Sequence, residues 1–261
     1  MPITSTTTHT PSFPQQALSE MAESFFSEGC VLIPNILAPD EVAALRAKTD
    51  EYALNPDPTS KHTSFAANAF VLRYCHEIDP LFQALTTRPE ILSIAEAVLG
   101  ANPQFNAMNV IRNGPGQAIT RWNLDDVMEF PLPPEIPRFD PRIRMPVFWM
   151  TIQVALSDTD QLEHGPTQYV PTSHYSGRKP SESLEFEGYG PQSVFCKAGD
   201  VYLTNHQTWH RGAPNLSERV RYLMQIQYAQ RWADRCFRGV RNDTEKISRC
   251  HCRIGADGHY D

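Results

Sequence analysis

The stretch His210-Arg211-Gly212-Ala213-Pro214-Asn215-Leu216-Ser217-Glu218-Arg219-Val220-Arg221 decides the reading of this chain. A histidine precedes a polar turn, and an arginine follows it eleven residues on. From its own side of the turn, each can do one job: the histidine can hold a metal ion, the arginine the far carboxylate of a dicarboxylic acid. Upstream stands Trp122-Asn123-Leu124-Asp125-Asp126. Residues i and i+2 of an extended strand face the same way, so Asn123 and Asp125 can reach one ion. His210 is placed to add a donor from a distant strand.

Two histidines and one carboxylate on one face of a metal, with open positions opposite, are the pattern of non-haem Fe(II) oxygenases. Asn123 departs from it. That pattern wants imidazole at this place, and an amide oxygen is a neutral, weaker donor. The planar fork of Arg221 suits a carboxylate, because it pairs two oxygens at once. Arg219, two residues away on the same expected strand face, is the next candidate for that task. His206 is the best substitute ligand, but four residues along a strand would set it about 13 Å from His210. His164, His174 and His206 are therefore read as loop or supporting residues.

At this point a resemblance is plain. Phe26-Ser27-Glu28-Gly29-Cys30-Val31-Leu32-Ile33-Pro34 with Pro39-Asp40-Glu41-Val42, Pro115-Gly116 up to Asp125-Asp126, Glu163-His164-Gly165-Pro166 with Val170-Pro171-Thr172-Ser173-His174, and Ala198-Gly199-Asp200-Val201 up to Tyr228 stand in this order. Together they resemble the phytanoyl-CoA dioxygenase family of Fe(II)- and 2-oxoglutarate-dependent oxygenases. The resemblance implies that Asp125 and His210 are metal ligands and catalytic residues, with Asn123 in the place of the third ligand. It implies that Arg221 anchors 2-oxoglutarate, with Ser217 nearby. It places Gln153, Thr120 and Arg73 among the cosubstrate contacts. Fe(II) and 2-oxoglutarate are the implied cofactors, and O2 and a small organic molecule the other reactants.

Composition agrees with a globular enzyme. The chain has 261 residues, 41% hydrophobic and 20% charged, which suits a single domain with a full core. A net charge of −7 and the lack of a basic run argue against nucleic acid as partner. The longest apolar run, 147–156, is too short to span a membrane and reads as a buried strand. Met1-Pro2-Ile3-Thr4-Ser5 lacks the basic start of a signal peptide, so the expected compartment is the cytoplasm. Homo- or hetero-oligomers remain open.

Six cysteines are present. Cys250-His251-Cys252 with Cys236 and His259 invites a zinc reading, but Cys-x-Cys without a second close pair is not a usual zinc spacing. Cys30 and Cys196 lie among strand formers and read as small buried apolar groups.

Residues 1–13, rich in Thr, Ser and Pro, read as a disordered tail, and 14–261 as one domain. Helices are expected over 15–27, 39–52 and 88–99. Beyond residue 104 short β-rich runs alternate with Pro and Gly. The expected fold is mainly β with a helical buttress: a double-stranded β-helix, a jelly-roll or cupin-like barrel. Two long connections flank the site segments, 131–146 with six of the 22 prolines, and 176–193. Each reads as a lid or substrate wall. Met128, Phe130, Met145 and Phe148 are candidates for an apolar pocket or for simple core.

Three functions compete. The first is a working oxygenase that hydroxylates, desaturates or rearranges a small molecule, with a metal site weakened by Asn123. The second is an impaired pseudoenzyme that binds 2-oxoglutarate or partners an active relative. The third is a metal-independent isomerase or lyase with Asp125 or Asp126 as general base.

Overall fold

Three of the four described helices open on proline, whose missing N–H costs nothing in a first helical turn. The computed structural model describes residues 13–66, 69–116, 121–125 and 130–233. Thr120, Asp126, Met128, the N-terminal tail through residue 12 and the Cys236–His259 cluster lie outside these. Helix α1, Gln15–Glu28, buries Leu18, Met21, Ala22 and Phe25, and Gly29 ends it at φ 79°. Helices α2 (Pro39–Leu54), α3 (Pro80–Leu85) and α4 (Pro89–Leu99) follow. Glu41 caps α2 by accepting the Ala38 N–H at 2.8 Å. Asp79 caps α3 by accepting the Leu81 N–H at 2.8 Å, a donor that the first helical turn cannot itself satisfy.

Strands β1 (Cys30–Ile33), β2 (Thr63–Ala66), β3 (Ala69–Arg73), β4 (Gln104–Asn113), β5 (Trp149–Ala155), β8 (Val201–Thr204) and β10 (Arg221–Ala229) form one antiparallel sheet in the order β1-β8-β5-β10-β4-β3-β2. Strands β6 (Thr167–Tyr169), β7 (Gln192–Val194) and β9 (His210–Gly212) form a smaller one, β7-β6-β9. This is the expected jelly-roll arrangement, two antiparallel sheets buttressed by helices. The hairpin of β2 and β3 and the short helix α3 are additions that the residue pattern did not announce.

The two faces of the large sheet differ in chemistry. Met108, Val110, Met150, Ile152, Val154, Tyr222, Met224 and Ile226 join the helices in the main core. Alternation then turns Asn109, Asn113, Thr151, Gln153, Tyr202, Arg221 and Gln225 to the opposite face. A smaller cluster there contains Cys30, Ala155, Cys196, Tyr202 and Leu223, so both cysteines are buried as expected. Among the described residues no helix is long and apolar enough to cross a membrane.

Candidate active site

Asn123, Asp125 and His210 come together where the segment around Asn123 adds itself to the edge of the small sheet. Asn123 and His210 exchange backbone N–H···O bonds of 2.9 Å in both directions. This pairing, with the i, i+2 alternation, sets Asn123, Asp125 and His210 on one face. Asp125 Oδ1 lies 3.4 Å from His210 Nε2 and accepts the Asn123 Nδ2–H at 3.3 Å. His210 Nδ1 bonds the Thr208 carbonyl at 2.8 Å. That contact holds a proton on Nδ1, so Nε2 is the nitrogen turned to Asp125: protonated, it donates to the carboxylate, and deprotonated, it is free to bind a metal.

Electrostatics support a carboxylate at this point. Burial alone would raise the Asp125 carboxyl, but the bond and charge of His210, with His206 and Asn123 behind it, hold it below the ordinary value. Burial would lower His210, and the bond to Asp125 overrides it and raises the imidazole. Asn123 Oδ1 is buried without a partner. The two ends of an amide exchange by a simple flip, so the oxygen can take the place beside Asp125. Among the described residues, however, no three His, Cys, Asp or Glu side chains stand close enough to hold a metal as placed.

His206 corrects an expectation. The chain does not run as a strand from 206 to 210: β8 ends at Thr204 and a turn follows, closed by Thr208 N–H to the Asn205 carbonyl at 2.9 Å. The turn brings His206 back beside the site, where its carbonyl accepts the Asp125 N–H at 2.8 Å. Its ring lies on Trp149, with centroids 3.4 Å apart. Burial drives its pKa down to about 3.

Across the interior, Arg221 opens β10. It is 4% exposed, and its Nε and Nη1 have no partner. Burial lowers its pKa, and the phenol of Tyr202, which it also bonds, works against that. Thr167 Oγ1 bonds the Tyr202 hydroxyl at 2.7 Å, which fixes the ring. Burying a guanidinium without an anion costs several kcal/mol, and Nε and Nη1 are free to pair with one. Arg219 does not share that face. It stands before β10, exposed, and its Nη2 contacts His164 Nδ1 at 2.6 Å.

The other expected cosubstrate contacts divide. Gln153 is 8% exposed with Oε1 unpartnered, on the interior face. Ser217 serves the turn instead: its Oγ–H and N–H donate to Asn215 Oδ1 at 2.7 and 3.2 Å. Asn215 Nδ2 in turn donates to the Arg219 carbonyl at 2.6 Å, which closes the turn that delivers Arg221. Arg73 is exposed at the end of β3, its guanidinium 5.4 Å from the Tyr74 ring centre. It begins a row across the sheet: Arg73 opposite Asn109, Asn109 opposite Gln225, Gln225 opposite Gln153, Gln153 opposite Tyr202. Asn109, Gln225, Tyr202, Thr167 and Asn113 were not singled out from the sequence. The signal was a run of amides at alternate strand positions, and a polar alternation is ordinarily a solvent face.

A cavity of about 1100 Å³ opens beside Asn123. Trp122, Leu124, Pro131, Leu132 and Leu184 give it an apolar lining, and Lys179 and Glu182 stand at its margin. Both long connections therefore wall it, and they are fastened together. Arg178 donates to the carbonyls of Pro133, Ile136 and Pro137 at 2.8, 2.5 and 2.9 Å. Its own carbonyl accepts the Trp209 Nε1–H at 2.7 Å, beside His210. Gly177 allows this approach, since a Cβ there would lie 2.7 Å from Leu132 Cγ. Of the pocket candidates, Phe148 packs on Trp232, Phe130 is exposed and Met145 borders a separate groove.

Arg178 is the centre of this joint, which the Phe139 N–H to the Tyr175 carbonyl at 2.8 Å and Arg138 to Glu187 at 2.8 Å also hold. Arg178→Ala should raise protease cleavage within 131–146 by at least about tenfold. Each lost hydrogen bond from a charged group contributes about 1.5–3 kcal/mol to local opening, and 1.4 kcal/mol is a factor of ten. Equal cleavage in variant and parent would mean that other contacts hold the loop.

Several solved structures share this fold. The α-ketoglutarate-dependent epimerase SnoN from nogalamycin biosynthesis aligns with a TM-score of 0.64 and 20% identity, over 83% of this chain and 84% of that one. The carbocyclase SnoK from the same biosynthesis aligns at 0.60 and 21%, over 84% and 85%. HygX from Streptomyces hygroscopicus, with nickel, 2-oxoglutarate and hygromycin B bound, aligns at 0.63 and 18%, over 82% and 87%. At these identities the likeness speaks for the fold. The family model for phytanoyl-CoA dioxygenase (PhyH) matches residues 25–222, from the end of α1 into β10. With that match across most of its length, the chain belongs to the phytanoyl-CoA dioxygenase family.

Proposed function

We propose that this protein is an Fe(II)- and 2-oxoglutarate-dependent oxygenase that oxidises a bulky, largely apolar small molecule. The observation that carries the reading is Arg221: a fully buried guanidinium with two unpartnered nitrogens, bonded to Tyr202, whose hydroxyl Thr167 of the His210 sheet holds. A dicarboxylic acid is the ligand that satisfies it. Solved relatives of the same fold bind iron, nickel and α-ketoglutarate, which supports the same cofactors here.

Asp125 and His210 would hold the metal, with the Asn123 amide oxygen at the third position, where it is a poorer donor than imidazole. Iron with 2-oxoglutarate bound supplies oxidising power drawn from O2. The chain's own residues do the rest. Arg221 takes the far carboxylate of 2-oxoglutarate, and Tyr202, bonded to Arg221 and braced by Thr167, fixes the angle of the guanidinium. Gln153 and Asn113 present buried, unpartnered amide atoms to the same interior. The Thr208 carbonyl keeps the His210 proton on Nδ1, away from the metal-facing nitrogen. The apolar cavity beside Asn123 would seat the substrate next to the metal.

The binding-only reading draws on Asn123 and the looseness of the cluster. The isomerase reading loses Asp125 as its base, because the bond to His210 holds that carboxyl below its ordinary value. Incubation of 2-oxoglutarate with the protein and Fe(II) under air separates the remaining two. Succinate should form with the parent and fall to background in His210→Ala. Tight 2-oxoglutarate binding without any succinate would favour the binding-only protein.

A further inference from the structure

We propose that Asn113 is a second determinant of the cosubstrate seat: its side-chain amide donates to the far carboxylate of 2-oxoglutarate alongside Arg221, and so helps to select that acid. This rests on the proposed function, since it concerns the anion that Arg221 would hold. Asn113 ends β4 and stands directly opposite Arg221, the first residue of β10. Opposed residues of an antiparallel pair share a face, with their Cβ atoms about 5 Å apart. Asn113 is 0% exposed, and neither its Oδ1 nor its Nδ2 has a partner among the described residues. Arg221 beside it is buried with Nε and Nη1 unpartnered. A buried amide without any hydrogen bond is rare. Two unpaired polar groups at one register are met together by one ligand that both can reach.

The neighbouring positions on that face are apolar. Ile111, Leu223 and Ala155 stand opposite one another two residues further along their strands. Leu223 and Ala155 belong to the buried cluster with Cys30, Cys196 and Tyr202. The Tyr202 hydroxyl is itself engaged by Arg221 and Thr167. The backbone is prepared as well. Asn215 Nδ2 donates to the Arg219 carbonyl at 2.6 Å and to the carbonyls of Asn113 and Gly114 at 3.4 Å. The Gly116 N–H donates to the Asn215 carbonyl at 2.6 Å. One buried asparagine thus ties the end of β4 to the turn before β10, and Asn113 and Arg221 are held in one frame. A carboxylate offers two oxygens with about four lone-pair sites, more than one guanidinium edge uses. An amide N–H on one of those sites adds a charge-assisted bond without a second positive charge to bury.

The test changes one residue of the protein and one group of the ligand. Anaerobic calorimetry of the full-length protein with Fe(II) measures binding of 2-oxoglutarate and of 2-oxopentanoate, in which a methyl replaces the far carboxylate. Asn113→Leu should weaken 2-oxoglutarate binding at least about tenfold, the loss expected for one bond to a charged group. It should leave 2-oxopentanoate binding unchanged. It should not lower the melting temperature of the ligand-free protein, because the amide it removes is unpaired. Asn113→Asp sets a carboxylate against Arg221, so it should raise that melting temperature and abolish 2-oxoglutarate binding. Unchanged 2-oxoglutarate affinity in Asn113→Leu overturns the assignment and leaves the proposed function standing. An equal loss for both ligands, or a lower melting temperature in folded Asn113→Leu, also overturns it, since the amide then serves the fold. A parent that does not bind 2-oxoglutarate overturns both. If Asn113→Leu fails to fold, Asn113→Asp decides, and parent-like 2-oxoglutarate binding there overturns the assignment.

Discussion

Arg221→Met should weaken 2-oxoglutarate binding at least 30-fold and make the ligand-free protein more stable, not less. The loss follows from the bonds removed. A guanidinium on a buried carboxylate makes charge-assisted hydrogen bonds worth about 2 kcal/mol or more, and Met offers none. The gain follows from the same burial. In the free protein Arg221 is 4% exposed, with Nε and Nη1 unpaired, so its charge is a cost until an anion arrives. Met is uncharged, and Leu223, two residues on along the same face, belongs to an apolar cluster there. A rise in the melting temperature of at least about 2 °C is expected, given about 2–4 °C per kcal/mol at this size. Calorimetry with 2-oxoglutarate and a thermal scan without it check the two halves. Unchanged affinity removes Arg221 from the cosubstrate site. A lower melting temperature means that the guanidinium is already satisfied in the fold.

Asp125→Ala should reduce Fe(II) affinity by more than about a hundredfold, beyond the ten- to hundredfold that loss of a supporting residue brings. Asp125 is the one anionic donor among the described residues that meet at the site, and it is also the hub of the cluster. It faces His210 Nε2 at 3.4 Å and accepts from Asn123 at 3.3 Å, so its removal frees both. Metal titration followed by dialysis measures this directly. A loss no greater than that of Asn123→Ala would show that the carboxylate is not the principal donor.

Much of this was legible in the chain because spacing and chemistry agreed. The i, i+2 pair Asn123 and Asp125 meets the histidine before the turn, as their intervals imply, and the arginine after the turn opens β10. The helices were legible from apolar periodicity and from their terminal glycines, Gly29 and Gly100. His206 lies in a loop beside the site, as expected, but not at the strand spacing assumed for it, for a definite reason. Strand geometry was extended through Asn205–Thr208, where the asparagine instead builds a turn, its Oδ1 accepting the Gln207 N–H at 3.0 Å. Tyr202 and Thr167 escaped notice because their contact joins residues on different sheets, which no local pattern encodes. The role of Ser217 was close in place but different in kind: it serves the turn rather than the ligand. The joining of the two loops by Arg178 was likewise hidden, since an arginine in a polar loop gives no sign that it will bond carbonyls some 40 residues away.

Anomalous scattering at the iron edge, from crystals grown anaerobically with Fe(II) and 2-oxoglutarate, tests the central claim most directly. One iron peak is expected against Asp125 and His210, with the far carboxylate of 2-oxoglutarate on Arg221. Iron bound elsewhere, or 2-oxoglutarate seated away from Arg221, would contradict the proposed site.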